Sequence, residues 1–153
     1  MADSLSVAVE RLRTSSERLN AICDSAAQTV RDTEAYLETL QLGVSAWVDV
    51  CHEYDDDDAM TIIGDVRLGY SEQSNGKYRI AVVWSPRWAD CASDVTVKSW
   101  VECSRDDKLR SFEKLPYLLV ELANKLDEKI TKAEKTVTAV TNLLPPSKKK
   151  KGA

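Results

Sequence analysis

The chain is poor in the residues from which metal sites and nucleophilic sites are assembled. It has one histidine, His52, and four cysteines, Cys23, Cys51, Cys91 and Cys103, none spaced as CxxC. A tetrahedral zinc site needs close ligand pairs, so no metal is expected, and no cofactor motif points to another bound group. The sequence contains no P-loop, GxGxxG, GxSxG or HExxH pattern. Any Ser–His–Asp set must use His52. Its neighbour Cys51 should point to the opposite face of a strand, which argues against a Cys–His pair. No catalytic residue is assigned, and a non-enzymatic protein is expected. No apolar run approaches the ~20 residues that span a bilayer. The opening stretch MADSLSVAVERLR is too short and too charged for a secretory leader. A cytoplasmic location with free thiols is therefore expected.

Glycine and proline are scarce, at 5 and 4 in 153 residues, so long helices can run uninterrupted. The net charge of −4 is unevenly spread. Residues 44–104 carry 5 basic and 11 acidic side chains, and residues 105–153 carry 12 and 7. An acidic body repels the phosphates of a nucleic acid, which disfavours such a partner. The closing block Lys148, Lys149, Lys150 and Lys151 reads as a flexible basic tail over 145–153.

Residues 4–41 carry a heptad pattern. Leu5, Leu12, Leu19, Ala26, Thr33 and Leu40 recur every seven positions, with Val9, Ser16, Cys23, Val30 and Leu37 as the companion seam. Asp3 or Ser4 can cap the start, and Gly43 lies where a C-terminal cap is expected. In the last third, Leu115, Leu119, Leu122, Leu126, Ile130, Ala133, Val137, Val140 and Leu144 form a second stripe, ended by Pro145-Pro146. Ser104 with Asp107 reads as an N-cap, and Pro116 predicts a break after a short helix near 105–114.

Between the helices the period falls to two. Strands are expected near 44–54, 60–71, 77–85 and 95–103, in an antiparallel meander with a turn at Asn75-Gly76. The run Asp55–Asp58 falls in the first turn and reads as a solvated tip rather than a cation site. The link 85–94, with Cys91, is the longest irregular stretch. One sheet face reads as core: Ala46, Val48 and Val50; Ile62, Val66, Leu68 and Tyr70; Tyr78, Ile80, Val82 and Trp84; Val95, Val97 and Val101. The other is mixed, with Trp47, Asp49 and Cys51; Ile63, Asp65 and Arg67; Arg79, Ala81 and Val83; Lys98, Trp100 and Glu102. A bulge would swap faces downstream.

The expected fold is α+β. A single domain over 1–144 has a long N-terminal helix (4–42), a four-stranded sheet region (44–103) and a kinked helical region (105–144). The terminal helices are expected to form a coiled-coil-like stalk. Their apolar stripes outrun the sheet, so an interface is placed on Leu5, Leu12, Leu19, Val30, Leu37, Leu119, Leu126, Ile130 and Val137, with a homodimer expected. Trp47, Arg67, Arg79 and Trp100 on the mixed face are the candidate partner-binding set, because aromatic and arginine side chains dominate interface energetics. The same four with the lysine tail would suit a nucleic-acid-associated protein. The competing structural reading has Leu109 and Phe112 of the 105–114 segment covering this face. In size, charge and class the chain resembles secretion chaperones that dimerise and bind extended client segments, which implies a protein partner.

Overall fold

The computed structural model describes residues 1–88 and 95–146. Cys91 and the four tail lysines lie outside the described residues. The architecture is α+β: helix α1 (Ala2–Leu40), strands β1 (Ala46–Tyr54), β2 (Ile62–Glu72), β3 (Tyr78–Pro86) and β4 (Thr96–Ser99), a 3₁₀ turn at Trp100–Glu102, then α2 (Arg105–Phe112) and α3 (Leu115–Leu143). The strands form an antiparallel meander in the order β1-β2-β3-β4. Among the described residues no helix is long and apolar enough to cross a membrane.

The long helix α1 holds because nothing in it breaks the backbone ladder. Two of its threonines satisfy their own hydroxyls: Thr29 donates to the Ser25 carbonyl at 3.0 Å and the seam residue Thr33 to the Thr29 carbonyl at 2.8 Å. Neither Asp3 nor Ser4 caps it; Met1 occupies the cap position, without a side-chain bond, and Asp3 lies in the first turn. The helix ends earlier than expected. Gln41 takes the left-handed conformation (φ 48°) and its N–H returns to the Glu38 carbonyl. Gly43 is a second left-handed residue (φ 58°), needed for the sharp entry into β1.

Both long helices cover one face of the sheet. The shared core contains Ala26, Val30 and Leu37 of α1, Val66, Leu68, Tyr70, Ile80 and Val82 of β2 and β3, and Leu115, Leu118 and Leu122 of α3. The even-numbered positions of β2 and β3 point inward, as the alternation predicts. The three-residue loop Ser74–Gly76 closes β2 onto β3, with Gly76 at φ 78° and the Gln73 N–H donating to Lys77 O at 2.8 Å.

Two expectations of facing are corrected. The register skips Val50 between Asp49 and Cys51, a bulge that turns Cys51 to the helix side and His52 to the open side. β4 is only four residues long and sits in the opposite phase to that expected. Val97 pairs with Val83 on the open face, Lys98 pairs with Val82 on the helix side, and Val97 and Val101 are exposed. The chain then leaves the sheet at Trp100, which is 1% exposed and belongs to the core.

After Ser104 the reading holds. The Ser104 hydroxyl oxygen accepts from the Asp107 N–H at 3.2 Å and starts α2, and Pro116 sits in the first turn of α3, where its missing N–H costs nothing. α2 lies on the helix side against α1, so it does not cover the mixed face as the competing reading would have it.

The free halves of the helices emerge at different ends. α3 starts beside α2 and runs back along β1, until Lys129 Nζ donates to the Gly43 carbonyl at 2.9 Å, just past the end of α1. The two helices therefore run in the same sense. The unpacked part of α1 is N-terminal and that of α3 C-terminal. One chain does not make the expected stalk with itself: Leu5, Leu12 and Leu19 remain exposed, as do Ile130 and Val137. Both seams stay open to a second helix.

This division of labour has a measurable consequence. Leu118→Ala should cost about 2–5 kcal/mol in a denaturant melt. Leu12→Ala, outside the head, should change head stability by less than about 0.5 kcal/mol.

Candidate interaction surfaces

The open face of the sheet is built around Trp47. Its partner across the strand is Gly69, and the indole lies flat on that glycine: a Cβ built there would fall 1.8 Å from Trp47 Cε3. Only glycine tolerates this approach. The ring spreads over the sheet surface and is half-buried. Arg67 lies one position along, opposite Asp49 and Val83. Its Nε is buried with no hydrogen-bond partner among the described residues. Ala81 and Val83 beneath are almost fully buried.

The other two members of the expected set are placed differently. Arg79 is exposed at the edge of β3, where Glu34 of α1 holds it at 3.9 Å. Trp100 lies on the opposite side. Its indole N–H donates to Ser111 Oγ at 3.1 Å and its ring packs near Phe112, with centroids 6.4 Å apart. The four residues thus do not form one surface; Trp47 and Arg67 do, with Arg79 at its margin.

Glu34 was not marked by the sequence, yet it has two roles. β4 stops at the pairing of Ser99 with Ala81, and the next N–H of β3, that of Ile80, donates to Glu34 Oε1 at 2.8 Å. A carboxylate of α1 thus stands where a strand carbonyl is missing, and it ties the helix to the sheet edge. Its position beside the heptad seam was the only sign available.

At the other end of the sheet, the Asp55–Asp58 run forms the turn. Asp55 Oδ1 accepts from the Asp57 N–H at 2.8 Å, and Asp58 accepts from the Met60 N–H and the Thr61 hydroxyl at 3.0 and 2.6 Å. These are local side-chain-to-backbone turns, and they hold the Asp58 carboxyl below the usual carboxylate range, chiefly through Thr61. Nearby, His52 Nδ1–H donates to Asp65 Oδ1 at 2.6 Å, and Arg87 reaches the same oxygen at 3.3 Å. The histidine bond, with Arg87 behind it, lowers the Asp65 carboxyl. Burial raises the Cys51 and Cys103 thiols, which makes both poor nucleophiles. Cys103 donates to the Ser99 carbonyl and not to His52. Among the described residues no group of three or more histidine, cysteine or acidic side chains is placed to hold a metal.

The helices carry the larger apolar surface. Of the expected interface, Val30 and Leu37 are buried against the sheet, whereas Leu5, Leu12, Leu19, Leu119, Ile130 and Val137 are exposed and Leu126 is half-buried. Where α1 and α3 part, a groove of about 530 Å³ opens between Tyr36, Leu37, Leu40 and Leu42 on one side and Leu119, Leu122 and Leu126 on the other. The seam of α3 leads directly out of it.

No protein-family model, no curated protein and no solved structure matches this chain.

The Asp65 cluster predicts an acid response. A lowered carboxyl contributes stability that is present above its unfolded value of about 3.9 and is lost as pH falls through the folded one. Asp65→Asn should lower stability at pH 7 and lose less than the wild type on going to pH 3, in paired urea melts. Equal acid losses in the two proteins would remove Asp65 from the account.

Proposed function

We propose that this is a non-enzymatic interaction or adaptor protein that self-associates through its long helices and meets a second partner with the open sheet face. One observation carries the reading: the apolar seam that buries Ala26, Val30 and Leu37 in the head continues as Leu19, Leu12, Val9 and Leu5 with nothing over it. The part of α1 before Cys23 stands clear of the head, about 30 Å of helix. Most helical stability in proteins comes from packing an apolar face, so an uncovered apolar stripe favours association with another helix.

The sheet face supports a partner role through Trp47 and Arg67, an aromatic beside a guanidinium whose Nε lacks a hydrogen-bond partner among the described residues. The nucleic-acid alternative draws on the same face but loses Trp100 to the core, so it ranks second. An enzyme centred on His52, Cys51 and the acidic run ranks third, since Cys51 and His52 face opposite sides of β1.

Light scattering over a concentration series tests the reading. The wild type should run as a dimer or larger. Leu12→Glu combined with Ile130→Glu should be monomeric while keeping the melting temperature of the head. A wild type that stays monomeric at its highest soluble concentration would refute self-association.

A further inference from the structure

The chain has four asparagines, and the fold sets one apart from the rest. Asn20 lies in α1 and Asn124 and Asn142 lie in α3. Each is followed by a residue that carries a side chain and whose N–H belongs to the helical ladder. Asn75 lies in the loop that joins β2 to β3. It is exposed, and so is the residue that follows it, Gly76, held at φ 78°. The Asn75 side chain is folded back on the main chain, with Oδ1 accepting from the Lys77 N–H at 3.0 Å. That bond spans the Asn75–Gly76 peptide, so it turns Cγ toward the Gly76 nitrogen. It also aims a donor at the oxygen that gains negative charge when that nitrogen attacks Cγ. Gly76 has no Cβ to block the approach, and the space beside it is open: the atom nearest to an added Cβ is Glu72 Oε1, at 3.9 Å. The Gly76 N–H donates to the Gln73 carbonyl at 2.9 Å. Attack must release that bond, and at an exposed loop water takes its place.

We propose that Asn75 is a site of self-modification in the folded protein, converting to isoaspartate and aspartate through a cyclic imide closed by the Gly76 nitrogen. Hydroxide takes the Gly76 N–H proton, and the nitrogen bonds to Asn75 Cγ. The Cγ–Nδ2 bond then breaks, and the amide nitrogen leaves as ammonia, taking its extra proton from water. A second water opens the ring in one of two ways. Breaking the bond from the Gly76 nitrogen to Cγ yields aspartate. Breaking the bond from that nitrogen to the Asn75 main-chain carbonyl carbon yields isoaspartate, in which the chain runs on through Cγ. In sum, water is consumed and ammonia released, and nothing is oxidised or reduced.

The products alter the hairpin tip in two ways. Either one sets a new carboxylate on a loop that the Glu72 carboxylate already borders. Isoaspartate also adds Cβ to the main chain of a loop whose closure rests on the Gln73 N–H reaching the Lys77 carbonyl at 2.8 Å. The part of the sheet it disturbs is the end of the β2–β3 pairing, where Glu72 lies opposite Tyr78.

Peptide mapping of the full chain tests this. The folded protein is aged in mildly alkaline buffer, and each sample is compared with a digest made at zero time. Trypsin, cutting after Arg67 and Lys77, releases residues 68–77. That peptide should resolve over time into the starting amide and two acids of equal mass, one isoaspartyl and one aspartyl. Asn75 should convert at least about tenfold faster than Asn20, Asn124 or Asn142, whose following N–H groups open only when the helix does. The Asn75 rate should change by less than about threefold in urea at half the melting midpoint, since the loop reacts without unfolding of the head. Aspartate formed without isoaspartate overturns the cyclic imide. An Asn75 that converts no faster than the helical asparagines overturns the site. A rise in urea of more than about threefold places the reaction in the unfolded chain and overturns the role of the loop geometry.

Discussion

Everything in this molecule depends on a mismatch of lengths across one buried face. A nine-residue strand covers about 30 Å, whereas the 39 residues of α1 extend about 58 Å and the 29 of α3 about 43 Å. The sheet can bury only part of either helix. It buries Ala26, Val30 and Leu37 of one and Leu115, Leu118 and Leu122 of the other, and that contact defines the head. What is left over, with the same seams, stays exposed. Because both helices cross in the same sense, the surplus emerges at two ends and cannot be hidden by folding it on itself.

The head manages its edges with few devices. β1 is bulged at Val50, β4 is cut to four residues, and the β3 N–H that β4 no longer reaches is taken by Glu34. The Asp55–Asp58 run, the most site-like feature of the sequence, is a turn whose side chains bond to their own backbone. Short strands, bulges and a capped edge N–H make a sheet edge a poor template for another strand. The larger exposed apolar surface then lies on the helices.

The open face is a less decided surface. Trp47 lies flat on Gly69 and is half-buried, which limits the aromatic area it presents. Arg67 shares that face, and its Nε is buried without a hydrogen-bond partner among the described residues. The loss of Trp100 from this face matters more for a base-stacking role, which needs successive aromatics, than for a protein partner, which can use one anchor.

The element order, the two long amphipathic helices, the meander, the Ser104 cap and the break at Pro116 were legible because each rests on local chemistry. Periodicity, capping and the φ restriction of proline act within a few residues and carry over into any fold. The even-numbered core of β2 and β3 was legible for the same reason. The facing of Cys51, His52, Val97 and Trp100 was not, since one unpaired residue at Val50 shifts the phase of β1, pairing with Val83 sets that of Val97, and the chain leaves the sheet after Ser99. Glu34 was invisible because its partner is a backbone N–H 46 residues away. By itself the sequence determined which segments are helix and strand and that their apolar stripes exceed the sheet. Only the tertiary structure decided which way the two helices cross, and so which stripes are left uncovered, because that direction is set by contacts such as Lys129 with Gly43 that join residues far apart in the chain.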